Sequence, residues 1–231
     1  MNRWRLGFGW TRGMTAMMVA CGVVYVFELL VVHTRLGEGP LGLVLAHAML
    51  DPAALLRLEL WQLVTYQLMH DPRDPLHLLF NLLVLYSFGG LFERRWGTAA
   101  FLRFLGVSGV GAGVVGALAG LVAPSLFGGP IVGLSGALAA LVMAFGLIFP
   151  EQRVQVWFVA SVPARQLVWA LAAIDLIVFL TGARIAIAVH AGGYLMGWLL
   201  VTGRWRWSRL RELVPRRPRV RRAGRFKVYE N

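Results

Sequence analysis

Residues 98–122 read TAAFLRFLGVSGVGAGVVGALAGLV, and this stretch decides the class of fold. No charged residue follows Arg103 within it. A helix of about 20 apolar residues is what crosses a hydrocarbon core of about 30 Å. Gly109, Gly111, Gly113, Gly116 and Gly120 give two GxxxG spacings. In water such glycines weaken a helix. In lipid they let neighbouring backbones approach closely, because packing replaces the drive that water supplies elsewhere. The segment therefore reads as a membrane span inside a tightly packed bundle.

The rest of the chain agrees. Of 231 residues, 58% are hydrophobic and 15% charged, with a mean hydropathy of +0.66, too apolar for a soluble domain of this size. Six apolar segments can be drawn, at roughly 14–33, 76–93, 98–122, 133–149, 164–181 and 183–203. The expected fold class is all-α: a polytopic six-helix membrane domain over 1–203, followed by a basic tail over 204–231. No small-residue cleavage site follows the first segment before His33, so that segment is expected to be retained. The single cysteine, Cys21, lies inside it, which rules out an intrachain disulfide.

The formal charge of +12 would suggest nucleic acid in a soluble protein, but most of the excess sits in the tail, from Arg204 to Lys227. Arg3, Arg5 and Arg12, then Arg94, Arg95 and Arg103, then Arg153 and Arg165 fall on the same face as that tail. The positive-inside rule assigns the face to the cytoplasm, with both termini. A tail beside anionic lipid is the expected partner, and no nucleic acid. One lysine among many arginines, alanines and glycines points to a GC-rich bacterial genome and hence a bacterial inner membrane. On the opposite face lies a long first loop, 34–75, whose apolar stretches Leu41–Leu50 and Leu55–Val64 are too short to span and read as interfacial helices.

Polar clusters inside apolar blocks are costly and need a reason. Gly133-Leu134-Ser135-Gly136 opens the fourth span, where a serine exposes its hydroxyl beside the unpaired N–H groups of a first helical turn. Such donors can stabilise an oxyanion. His190 lies toward the outer end of the sixth span and is followed at helical spacing by Gly193 and Gly197. An imidazole is the natural base for a serine hydroxyl near neutral pH. His77 and Asn81, at i and i+4 in the second span, share a helix face as hydrogen-bond donors for an anion. A metal is not expected, since no HExxH or three-ligand set occurs, and no cofactor is called for. His33 and His47 read as interfacial, without a chemical role. Glu28 and Asp175 are the remaining membrane acids. Asp175 can reach the depth of His190 and orient it as in a triad, although pairing with Arg184 is the simpler expectation.

Taken in order, His77xxxAsn81, Gly89-Gly90-Leu91-Phe92-Glu93-Arg94-Arg95-Trp96-Gly97, Gly133-Leu134-Ser135-Gly136 and His190xxGly193xxxGly197 resemble the rhomboid intramembrane serine proteases, over about Trp61 to Leu200. The resemblance implies Ser135 as nucleophile and His190 as general base, without a required carboxylate. It implies His77 and Asn81, with the Ser135 N–H, as oxyanion stabilisers. Gly133 and Gly136 flank the nucleophile, and Gly193 and Gly197 would press the sixth helix against the fourth. The implied substrates are membrane proteins whose transmembrane helix unwinds near its outer end. His70 is similar to the family's first-loop histidine.

Three departures stand out: Trp61-Gln62 where Trp-Arg is frequent, a longer stretch between His70 and His77, and Ala139 where an aromatic often stacks on the catalytic imidazole. Two other readings compete. A catalytically inactive rhomboid-like protein that binds transmembrane helices would fit Ala139 and Gln62, while the intact Ser135 and His190 speak against it. A small transporter would need polar residues along a path to the cytoplasmic side, where the spans are apolar apart from the two acids.

Overall fold

The computed structural model describes residues 9–156, 160–180, 184–204, 220–223 and 226–229. Arg3, Arg5 and the tail arginines from Arg206 to Arg219, with Arg225, lie outside the described residues. The chain divides into two compact units, Met1–Val201 and Thr202–Asn231. The second contains an antiparallel hairpin of two short strands, Val220–Ala223 and Phe226–Tyr229.

In the first unit, α1 (Arg12–Val32) buries Met14, Cys21, Tyr25 and Glu28, a stripe with helical spacing, and leaves Val19, Val23, Val26 and Leu30 on its outer face. Apolar side chains also cover the outside elsewhere: Trp169 is 77% exposed and Leu180 74%. A surface of this kind belongs against hydrocarbon, not water. Among the described residues three helices are long and apolar enough to cross a membrane: α1 and, below, Pro75–Trp96 and Thr98–Val122.

The first loop is only partly as expected. A 3₁₀ turn at Arg35–Glu38 leads into α2 (Pro40–Ala48), so the first apolar stretch is helical. The second stretch is not one helix. It is a 3₁₀ turn at Pro52–Leu55, a reversal at Leu58 with φ 58°, and the short α3 (Gln62–Thr65). The cause is polar: the Arg57 guanidinium binds Asp51 at 2.8 Å and Glu59 at 2.7 Å, folding the chain back on itself. That cation holds both carboxyl groups below their usual range.

α4 (Pro75–Trp96) starts with proline in its first turn behind Asp74, whose carboxylate accepts from the His77 N–H. It ends at Gly97, whose φ of 82° turns the chain directly into α5 (Thr98–Val122). The glycine face of α5 does more than admit another helix. Gly109 meets Gln67, Gly113 meets Tyr66 and Gly120 meets Pro52, all from the first loop. Gly116 meets Val189 and Ile131. The loop is thus packed into the bundle by the same small residues that read as a helix-packing motif. A second core of Leu50, Ala54, Leu63, Tyr66, Ala112, Ala117, Ile131 and Val189 holds it there.

After the single turn α6 (Pro124–Phe127), the chain runs back to α7 (Ser135–Ile148). α7 is almost wholly buried, with Gly136 to Val142 all inaccessible or nearly so. Its 14 residues cover about 21 Å, shorter than the thickness of a hydrocarbon core. The turn expected between the fourth and fifth spans is a β-hairpin, β1 (Arg153–Val156) against β2 (Ala160–Pro163). α8 (Ala164–Leu180) and α9 (Arg184–Thr202) complete the unit.

Candidate active site

Ser135 is the first residue of α7, so the helix begins two residues later than the apolar pattern suggests. Gly133 has φ 111°, open to glycine but strained for other residues, and its N–H donates to the Tyr66 carbonyl at 2.9 Å. The first loop thereby sets the entry into α7. A backbone bridge between Leu50 and Ile131, at 2.8 and 3.0 Å, fastens the same strand of chain a few residues earlier.

A Cβ on Gly133 would lie 2.7 Å from the His77 ring and 3.5 Å from Asn81 Nδ2. Both α4 side chains are therefore seated against the backbone just before Ser135. The first N–H groups of α7 have no partner inside their own helix.

Asn81 is buried, and its Nδ2 lies 2.9 Å from His70 Nε2. His70 Nδ1 lies 3.2 Å from the Leu68 carbonyl, which can only accept, so Nδ1 carries the proton and Nε2 accepts from Asn81. The His70 N–H in turn donates to both oxygens of Glu28, each at 3.1 Å. Burial, reinforced by the neighbouring His77, pushes the His70 imidazole down to about 4 and keeps it neutral. The rings of His70 and His77 are 5.1 Å apart. His77 is also within electrostatic range of His190.

α9 reaches the site by backbone contact. A side chain on Gly193 would collide with the Gly136 carbonyl, and a Cβ on Gly197 would lie 2.5 Å from the Ala140 carbonyl. His190 stands one turn before Gly193 on the helix that makes this backbone contact. Ala139 also faces Gly193 there, 2.9 Å from where a Cβ would stand.

His190 Nδ1 is 2.7 Å from Asp175 Oδ1, and Asp175 Oδ2 accepts from the Tyr194 hydroxyl at 2.9 Å. The side chains of His190 and Asp175 are 21% and 17% exposed. The expected pairing of Asp175 with Arg184 falls on a side chain that lies outside the described residues. Tyr194 went unnoticed in the sequence, although it stands four residues after His190 on the same helix face.

Two further polar residues acquire partners. Gln62, in place of an arginine, is 1% exposed; its Oε1 accepts from the Asp51 N–H at 2.9 Å and its Nε2 donates to Glu59 at 2.6 Å. Trp61 Nε1 donates to the His47 carbonyl at 3.1 Å, which ties α3 to α2. At the other end of the molecule Glu93 accepts from the N–H groups of Gly13 and Met14 and from the hydroxyls of Thr11 and Thr98, at 2.5 to 2.8 Å. Among the described residues no three His, Cys, Asp or Glu side chains converge as metal ligands.

Comparison with known families agrees with the motifs. The family model for the rhomboid domain matches residues 57–207, which include the first-loop elements from Arg57, α4, α5, α7, α8 and α9 and every candidate site residue. That match covers well over half of the protein, and the chain belongs to the rhomboid family.

Proposed function

We propose that the protein is an active intramembrane serine protease that hydrolyses peptide bonds in or near the transmembrane helices of membrane-protein substrates. The observation that carries the reading is the convergence of three helices on one backbone segment: Gly133 against His77 and Asn81 of α4, and Gly136 against Gly193 of α9.

In this reading Ser135 Oγ attacks the scissile carbonyl and His190 Nε2 takes its proton. The oxyanion is held by Asn81 Nδ2, the His77 ring and the first N–H groups of α7. Asn81 is well suited, since its link to His70 fixes the amide orientation while leaving it a second N–H. The collapsing intermediate expels the amine, which takes that proton from His190, and water activated by the same imidazole then hydrolyses the acyl-enzyme and frees Ser135. No cofactor takes part.

Six helices, α1, α4, α5, α7, α8 and α9, would cross a bacterial inner membrane with both termini cytoplasmic, and the site opens toward the outer face. A substrate helix reaches it through the bilayer, so membrane proteins and lipid are the partners. Cleavage of a labelled transmembrane substrate in liposomes tests the reading. Wild type is expected to cut, and Ser135→Ala and His190→Ala each to lose activity by at least about 10³-fold. A wild type that neither cuts a substrate panel nor reacts with a fluorophosphonate would support instead a rhomboid-like protein that binds transmembrane helices without cutting.

A further inference from the structure

The sequence motifs account for a serine and a histidine, but not for the carboxylate that meets that histidine. Asp175 comes from α8, fifteen residues before His190, and turns one oxygen to His190 Nδ1 at 2.7 Å and the other to the Tyr194 hydroxyl at 2.9 Å. Both carboxylate oxygens are engaged, and the pair is largely shielded from solvent. We propose that Asp175, braced by Tyr194, is a positioning residue that completes a Ser135-His190-Asp175 triad; this rests on the protease reading above.

The geometry assigns each atom a task. A carboxylate accepts only, so Nδ1 must carry a proton and Nε2 is left with its lone pair for the Ser135 hydroxyl. When the Ser135 O–H bond breaks and the Oγ–C bond forms, the proton goes to Nε2 and the resulting imidazolium lies against the negative charge of Asp175. When the C–N bond breaks, the proton leaves Nε2 for the amine nitrogen and Ser135 remains acylated. Nε2 then takes a proton from water as the water oxygen attacks the ester carbonyl, and gives it to Oγ when the Oγ–C bond breaks, which frees the acid product and restores the starting state. Asp175 stays ionised throughout. Tyr194, one turn along the same helix as His190, donates to Oδ2 and holds the carboxylate in line.

Ala139 explains why such a support is useful here. Its methyl group is too small to stack on an imidazole, and it faces Gly193. Orientation of the ring therefore falls to a hydrogen bond from α8 instead of a ring from α7.

The experiment uses the full chain in liposomes with a labelled transmembrane substrate, comparing wild type with Asp175→Asn, Asp175→Glu and Tyr194→Phe. Asp175→Asn keeps the shape and removes the charge. It is expected to lower kcat and the fluorophosphonate labelling rate at least about tenfold, with KM and the thermal midpoint unchanged. Asp175→Glu recovers part of kcat, and Tyr194→Phe loses about threefold to tenfold. An Asp175→Asn variant with wild-type kcat overturns the inference. So does a loss that tracks the thermal midpoint, with Glu no better than Asn, since that marks a purely structural bond between α8 and α9. A wild type that neither cuts nor labels overturns the protease reading and this inference with it.

Discussion

Gly193 and His70 show how much a single position carries. Gly193 has no room for a methyl group against the Gly136 carbonyl and Ala139, so Gly193→Ala must push α9 away from α7. A loss of about 1–3 kcal/mol in stability is expected from such overpacking, with a larger fractional loss of proteolysis because His190 moves with the helix. Thermal unfolding and cleavage of the same preparation measure the two. His70 makes a pH prediction. Its folded value, about 4, lies below the ordinary value of 6.5 for a histidine, so the folded state prefers the neutral ring. The stability this provides is present above about pH 6.5 and is lost as pH falls toward about 4, because the unfolded chain binds the proton first. The thermal midpoint should drop across that window, and His70→Gln should flatten the drop. Acid should weaken the site too, since a protonated Nε2 can no longer accept from Asn81.

At the scale of elements, helix ends and close crossings decide the architecture. α1 begins without a side-chain cap of its own, and Glu93 of α4 supplies one by accepting from Gly13 and Met14. A carboxylate at a helix N-terminus satisfies orphan N–H groups and complements the helix dipole. The same group binds Thr98 at the start of α5, so three helices meet on one side chain. Glu93→Ala is expected to cost about 3 kcal/mol or more, and Glu93→Gln less, read as shifts in the unfolding midpoint. None of this was visible in the sequence, where Glu93 read only as part of a motif between α4 and α5. The glycine run of α5 was legible as a packing face, but its occupants, Gln67, Tyr66 and Pro52, come from a loop more than forty residues earlier and follow no periodicity.

For the whole molecule, topology is the expected property most open to direct test. With Cys21 buried, single engineered cysteines can report sidedness without interference. Glu38→Cys in the first loop is expected to react with a membrane-impermeant maleimide on intact spheroplasts. Glu151→Cys beside the β1–β2 hairpin should react only after permeabilisation; equal labelling of both would refute the six-span arrangement. By itself the sequence determined that this is a helical membrane protein and a member of the rhomboid family, because hydropathy, positive charge and short motifs are properties of contiguous chain. Only the tertiary structure decided which side chains meet across it. Asp175 finds His190, Asn81 finds His70, Glu28 finds the backbone of His70, and α7 starts at Ser135 because the Tyr66 carbonyl holds Gly133 in a conformation outside the helix. The physical reason is common to all four. In an apolar interior each polar group must find a partner, and which one it finds depends on how the helices pack and not on its neighbours in sequence.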